Sequence, residues 1–180
     1  MSKNLVVYYS HTANNKFFAE KISQELQCNC EKIEPNFNAF FWQMILSGLN
    51  QTTGLKNLQH NIADYDNIIL CGPIWMGNLI APLRSFLKKY HNKIKNLYFV
   101  TCCGGKDENK DDKFGYNFVF SKVKEIIGDK CVQCAAFSIN LVIPEDVKNK
   151  DEAAMKARLT NETYQGEIKK KLEEFVKNIQ

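Results

Sequence analysis

The sequence predicts an open α/β sheet of five strands alternating with about five helices. Three observations carry this. Leu5–Tyr9, Ile68–Cys71 and Leu97–Thr101 are continuous apolar runs, the pattern of strands buried on both faces of a parallel sheet. Apolar residues recur at helical spacing in the stretches between strands. A short polar segment, Cys30–Glu34, fits an edge strand.

In chain order, Leu5–Tyr9 is the first strand. Phe18, Ile22 and Leu26, four residues apart, mark the first helix. Cys30–Glu34 follows as the second strand. The segment from Phe37 to Leu49 holds Phe40, Phe41, Trp42, Met44, Ile45 and Leu46; its length and apolar density fit a core-packing helix. The alternative is that Trp42 or a phenylalanine overhangs an active site. Ile68–Cys71 is the third strand, and Leu79, Leu83, Phe86, Leu87 and Tyr90 make one helical face. Leu97–Thr101 is the fourth strand, and Lys106–Lys113 a charged polar loop. Val119, Val123, Ile126 and Ile127 mark a helix that Gly128 stops. Cys131–Ile139 is the fifth strand, Pro144–Lys150 a polar loop, and Tyr164, Ile168, Leu172, Phe175 and Ile179 the last helix.

A chain of 180 residues favours one domain, 1–180, with a sizeable core. The net charge is +4, with 24 basic residues scattered among 20 acidic ones, so no basic stripe offers itself to nucleic acid. The apolar runs are far short of a membrane span, and Leu5–Tyr9 is too short for the core of a signal peptide. These points, with seven cysteines in no paired framework, lead to the expectation of a cytoplasmic protein.

Candidate chemistry sits on three loops, each after an apolar strand. Ser10, His11, Thr12, Ala13, Asn14 and Asn15 form a hydroxyl- and amide-rich turn where a strand gives way to a helix. Side-chain donors and the free amides of a first helical turn can hold a phosphate there, aided by the helix dipole. Simple N-capping by Thr12 or Asn14 is the competing explanation. The loop has neither the P-loop ending nor the G-x-G-x-x-G fingerprint of dinucleotide sites. The second loop is Pro73, Ile74, Trp75, Met76, Gly77 and Asn78. A tryptophan at the carboxyl end of a strand faces the crevice where open α/β sheets bind ligands, and its ring can stack on a planar cofactor. Packing on its own domain is the alternative. The third loop is Thr101, Cys102, Cys103, Gly104 and Gly105, whose glycines leave room for a ligand edge or simply make a turn.

Tyr9-Ser10-His11-Thr12-Ala13-Asn14-Asn15 resembles the phosphate loop of the flavodoxin family, Tyr-Ser-x-Thr-Gly-Asn-Thr. Asp66–Leu87, through Gly72-Pro73-Ile74-Trp75-Met76-Gly77-Asn78, is similar to that family's third strand, flavin loop and next helix. Val100–Gly105 resembles its next cofactor loop. The likeness runs from Met1 to about Ile139. It implies a flavodoxin-like five-stranded parallel sheet in the order 2-1-3-4-5, helices on both faces, and FMN at the switch between strands 1 and 3. It also implies a redox-linked flip of the Met76–Gly77 peptide. Ala13 stands where the family has glycine, and Asn15 where it has threonine; alanine disfavours a positive φ.

The implied function is FMN-dependent redox chemistry in which the flavin reacts and no side chain serves as acid or base, so neither a catalytic residue nor a metal ligand is expected. Either the protein is an electron carrier between partner proteins, or it is an NAD(P)H-dependent reductase of quinones or flavins acting on a small quinone-like acceptor. A module of another class, without FMN and serving protein binding, draws its support from Ala13 and Asn15. Cys131-x-x-Cys134 is discounted as a redox pair because residues i and i+3 of a strand point to opposite faces. Cys102 and Cys103 would sense oxidation only if exposed.

Overall fold

The continuous apolar runs become the three central strands of one parallel sheet in a computed structural model, described for residues 2–105, 110–111 and 115–179. Of the expected Lys106–Lys113 loop, only Lys110 and Asp111 fall among the described residues. The strands are β1 (Asn4–Tyr8), β2 (Asn29–Lys32), β3 (Asn67–Cys71), β6 (Asn96–Cys103) and β7 (Cys131–Ser138), in the order β2-β1-β3-β6-β7. A two-stranded antiparallel hairpin, β4 (Ile74–Trp75) and β5 (Asn78–Leu79), is interposed after β3. The five main strands therefore take the order 2-1-3-4-5 that the flavodoxin resemblance implies.

The pleat sorts the central strands onto two cores. Leu5, Val7, Ile68, Leu70, Leu97 and Phe99 face one way, under Leu83, Phe86 and Leu87 of α3 (Ala81–Tyr90) and Val119, Val123 and Ile127 of α4 (Tyr116–Ile127). Val6, Ile69, Tyr98 and Val100 face the other way, under Phe18 and Ile22 of α1 (Asn14–Glu25) and Ile168, Leu172 and Phe175 of α6 (Gly166–Lys177). Alternate residues serving opposite cores explain why these strands read as unbroken apolar runs. An asparagine ladder fixes the register at the strands' amino ends: Asn67 Nδ2 donates to Asn4 Oδ1 at 2.9 Å, and Asn96 Nδ2 to Asn67 Oδ1 at 3.1 Å. Gly128 ends α4 at φ 63°, a conformation that favours glycine. One further helix, α5 (Lys150–Lys156), begins where the sequence suggests only a polar loop. Its signal is a cap: Asn149 Oδ1 accepts from the Glu152 amide at 3.2 Å.

The aromatic segment packs contrary to the core-packing expectation. In α2 (Phe40–Gly48) the inward residues are the polar Gln43 and Ser47, while Phe40, Phe41, Trp42 and Ile45 are exposed, as are Phe37 before the helix and Leu49 after it. Hydrogen bonds hold this helix and its trailing chain against α3. Ser47 Oγ accepts from the Ala81 amide at 2.8 Å, and Ser85 Oγ from the Thr53 amide at 2.7 Å. The buried Arg84 guanidinium donates to Gln51 O and Asn50 Oδ1, and burial lowers its pKa from the ordinary value. Apolar density predicts the helix, but the polar contacts decide which face turns inward.

Gly72 joins β3 to the hairpin where backbone passes over a core leucine. A Cβ built there would lie 2.6 Å from both Cδ1 and Cδ2 of Leu83, which is fully buried. Gly72→Ala is expected to destabilise the protein by about 1–3 kcal/mol through overpacking. Chemical denaturation checks this, and an unchanged midpoint would mean that Leu83 can move aside.

Candidate functional site

Three loops meet at the carboxyl end of the sheet around β1, β3 and β6, as the sequence predicts. The first spans Ser10 to Asn15. The first backbone bond of α1 runs from the Phe17 amide to Ala13 O, so the amides of Asn14, Asn15 and Lys16 have no acceptor within the helix. The first turn holds no acidic residue, and no side chain caps it, so neither Thr12 nor Asn14 acts as an N-cap. The cap position is Ala13, at φ 70° and ψ −14°. Alanine thus takes the left-handed conformation of the glycine it stands for, at a cost of about 1–2 kcal/mol. Ala13→Gly is expected to raise stability by up to about 1 kcal/mol, since glycine's greater freedom when unfolded offsets part of the relief. A thermal melt reads this directly, and a lower melting temperature would contradict the strain.

Two polar side chains of this loop are already engaged. Asn14 Nδ2 donates to Ala157 O at 3.2 Å, and its Oδ1 accepts from the Leu159 amide at 2.9 Å. Asn15 Oδ1 accepts from the Cys102 amide at 2.8 Å, and its Nδ2 donates to Cys102 O at 3.4 Å. Both are buried. The expectation that these side chains offer donors to a phosphate is corrected: they tie the loop to its neighbours, and what they can offer a ligand is backbone N–H. Ser10 differs. Its Oγ is buried without a partner, as is Oγ1 of Thr101 in β6. A buried hydroxyl left unpaired costs about 1–3 kcal/mol, so these two atoms are candidates for a ligand's acceptors. His11, Thr12 and Ala13 are exposed.

The second loop is a tight hairpin. Ile74 pairs with Leu79 and Trp75 with Asn78, and both turn residues have positive φ, 49° for Met76 and 70° for Gly77. That is a type I′ turn, which glycine suits and methionine does not. Asn78 Nδ2 donates to Met76 O at 3.2 Å, steadying the peptide that the resemblance marks as mobile. Met76 is exposed, while Trp75 and Ile74 are half-buried against the core, and Pro73 is half-buried as well.

Trp75 sits among rings. Its centroid lies 5.1 Å from Phe40, 6.2 Å from His11 and 6.3 Å from Tyr9, each edge-on. His11 stacks on Phe40 at 4.2 Å. The aromatic segment therefore does reach the site, through Phe40 rather than Trp42. Sequence spacing could not identify Phe40, since Phe37, Phe41, Trp42, Ile45, Leu46 and Leu49 carry the same signal.

The third loop is strand for longer than expected. β6 continues through Thr101, Cys102 and Cys103, all buried, and only Gly104 and Gly105 form an exposed turn. Burial pushes the Cys102 thiol far up, so it is not the exposed redox sensor the sequence left open. Asn140, absent from the sequence-based site, donates through Nδ2 to Gly104 O at 2.8 Å and fixes this turn. A concavity of about 860 Å³ opens at the opposite end of the sheet, beside Lys3, Glu25, Cys28 and Tyr65. It adjoins the amino ends of β1 and β2, whereas open α/β sheets bind ligands beyond the carboxyl ends.

Solved structures give the fold a context. A flavoprotein of Lactobacillus acidophilus, determined in complex with FMN, superposes with a TM-score of 0.57 at 20% identity, covering 76% of this chain and 93% of that one. A protein of Bacteroides eggerthii described as a candidate flavoprotein gives 0.60 at 16% identity, covering 87% and 95%. One of Bacteroides uniformis with the same description gives 0.57 at 14%, covering 87% and 99%. No protein-family profile and no curated protein sequence matches the chain. At these identities the likeness establishes the fold, which is flavodoxin-like.

Proposed function

We propose that this flavodoxin-like chain is an FMN-dependent redox protein. The amides of Asn14, Asn15 and Lys16 with the Ser10 hydroxyl would hold the phosphate, and Trp75, Gly77 and the Thr101–Gly105 segment would flank the ring. One observation carries this reading: in one loop, the amides of the first turn of α1 have no acceptor within the helix, Ser10 Oγ is buried and unpartnered, and no carboxylate stands in that turn. That donor set suits a phosphate dianion without help from lysine or arginine. The FMN complex of the Lactobacillus acidophilus flavoprotein, which shares the fold, supports the same assignment. When bound, FMN supplies the electron-transfer chemistry; the chain's part is to bind it, orient it and limit access to it.

The test uses Ser10→Ala. Removing an unpartnered buried hydroxyl leaves the stability of the free protein unchanged or higher. The same change weakens FMN binding by about fivefold to tenfold, the worth of one hydrogen bond. Riboflavin, which lacks the phosphate, should bind wild type far more weakly than FMN and be indifferent to the substitution. Equal affinity for riboflavin and FMN, measured by calorimetry, would refute the phosphate site.

A second reading, a reductase passing electrons to a quinone-like acceptor, is favoured by α2. Its exposed Phe40, Phe41, Trp42 and Ile45 lie on the helix that brings Phe40 against Trp75, and no charged residue occurs between Glu34 and Lys56. An apolar, uncharged border suits a flat apolar acceptor better than a charged protein face. NADH or NADPH oxidation by the FMN-loaded protein, with and without a soluble quinone, separates this reading from an electron carrier.

A further inference from the structure

Cys131 and Cys134 share one face of the sheet because β7 is irregular. Leu97 pairs with Cys131, but the next residue, Tyr98, pairs with Gln133, so Val132 is an extra residue in the strand. This β-bulge resets the alternation. Without it the two cysteines would point to opposite faces; with it both pack against the core under α3 and α4. Their sulfurs lie 3.5 Å apart. The opposite-face geometry of i and i+3 in a regular strand therefore does not apply to this pair.

We propose that Cys131 and Cys134 form a thiol–disulfide exchange site that takes a low-molecular-weight disulfide as its co-reactant. The Cys131 thiolate attacks one sulfur of the disulfide R–S–S–R, forming a mixed disulfide and releasing one thiolate, R–S⁻. Cys134 then loses its proton and attacks Sγ of Cys131, closing the Cys131–Cys134 bond and expelling the second R–S⁻. Two protein thiols are oxidised, one external disulfide is reduced to two thiols, and the protons pass to the products.

Position supports the chemistry. β7 is an edge strand, Val132 between the two cysteines is 52% exposed, and both cysteines are half-buried. Closure brings the sulfurs from 3.5 Å to about 2.05 Å. The bulge interrupts the ladder and a short 3-10 turn, Gly128–Lys130, directly precedes Cys131, so the backbone can yield there. The order of attack follows from the surroundings. A hydrogen bond from the Cys134 thiol favours the thiolate of Cys131; burial opposes it in part and the Lys124 ammonium adds to it, while Cys134 is pushed upward as the donor. The other thiols are less suited. Cys71, Cys102 and Cys103 are buried, and burial pushes Cys28 and Cys30 up to about 11. The pair lies at the amino end of β7, away from the loops proposed for FMN, so it does not rest on that reading.

The experiment incubates the FMN-treated full chain with oxidised glutathione, alkylates after unfolding, and maps tryptic peptides. Cleavage after Lys130 and Lys148 puts both cysteines, and no others, in one peptide, residues 131–148. That peptide should emerge unalkylated and lighter than the dithiol by two hydrogen atoms, while the other five cysteines stay alkylatable. Cys134→Ser should accumulate a glutathione mixed disulfide at Cys131, and Cys131→Ser should react at least about tenfold more slowly. Two free thiols in the peptide from oxidised wild type, or equal rates for the two single variants, would overturn the proposal.

Discussion

Asn15→Ala is expected to cost about 2–3 kcal/mol of folding stability, because it leaves the buried amide and carbonyl of Cys102 without their partner. The side chain is only 2% exposed, so water cannot readily replace it. Its two bonds join the first turn of α1 to the end of β6, bringing together two of the three proposed cofactor loops. FMN affinity should therefore fall with stability, even though the side chain is not proposed to touch the cofactor. Asn15→Asp separates the two effects. The carboxylate still accepts from the Cys102 amide, so it should preserve more stability than alanine does. It also puts a negative charge in the first turn of α1, where a phosphate is proposed to sit, and should weaken FMN binding more than alanine does. Denaturant titration and FMN calorimetry on both variants check this. A loss below about 0.5 kcal/mol for alanine would show the tether to be dispensable.

The ease of reading this chain follows from where each signal is stored. Leu5–Tyr9, Ile68–Cys71 and Leu97–Thr101 carry their own evidence, since burial on both faces leaves a local, unbroken apolar run. The three loops at the strands' carboxyl ends were legible for the same reason: position relative to a strand is local. The roles of Asn14 and Asn15 were not legible. Their partners, Ala157, Leu159 and Cys102, lie far along the chain, and nothing in a six-residue loop indicates that its amides are already spoken for. The bulge at Val132 is likewise a property of pairing with β6 rather than of the strand's own residues. In α2, apolar density marks the helix but not its orientation, which Ser47, Ser85 and Arg84 set through contacts of α2 and its trailing chain with α3.

Trp75→Ala should weaken FMN binding by about 1–3 kcal/mol, roughly fivefold to 150-fold, the sum of a lost ring contact and lost burial. Trp75 is half-buried at the carboxyl end of the sheet, and its ring meets Phe40, His11 and Tyr9 edge-on. Such a ring is held in place by its neighbours, so little of its stacking energy is spent on ordering it when a ligand arrives. Trp75→Phe keeps an aromatic face and should retain most of the affinity. Phe40→Ala removes a neighbour of Trp75 and should weaken binding through it, so the double variant loses less than the two single losses added together. A spectroscopic arm reports position as well as affinity. The chain has two tryptophans, Trp42 and Trp75, so in a Trp42→Phe background all tryptophan emission comes from Trp75. Saturating FMN should quench that emission strongly, whereas in a Trp75→Phe background the exposed Trp42 should be quenched less. An unchanged dissociation constant for Trp75→Ala, with Trp75 emission unaffected by FMN, would place the ring away from the flavin and leave the aromatic cluster a purely structural role.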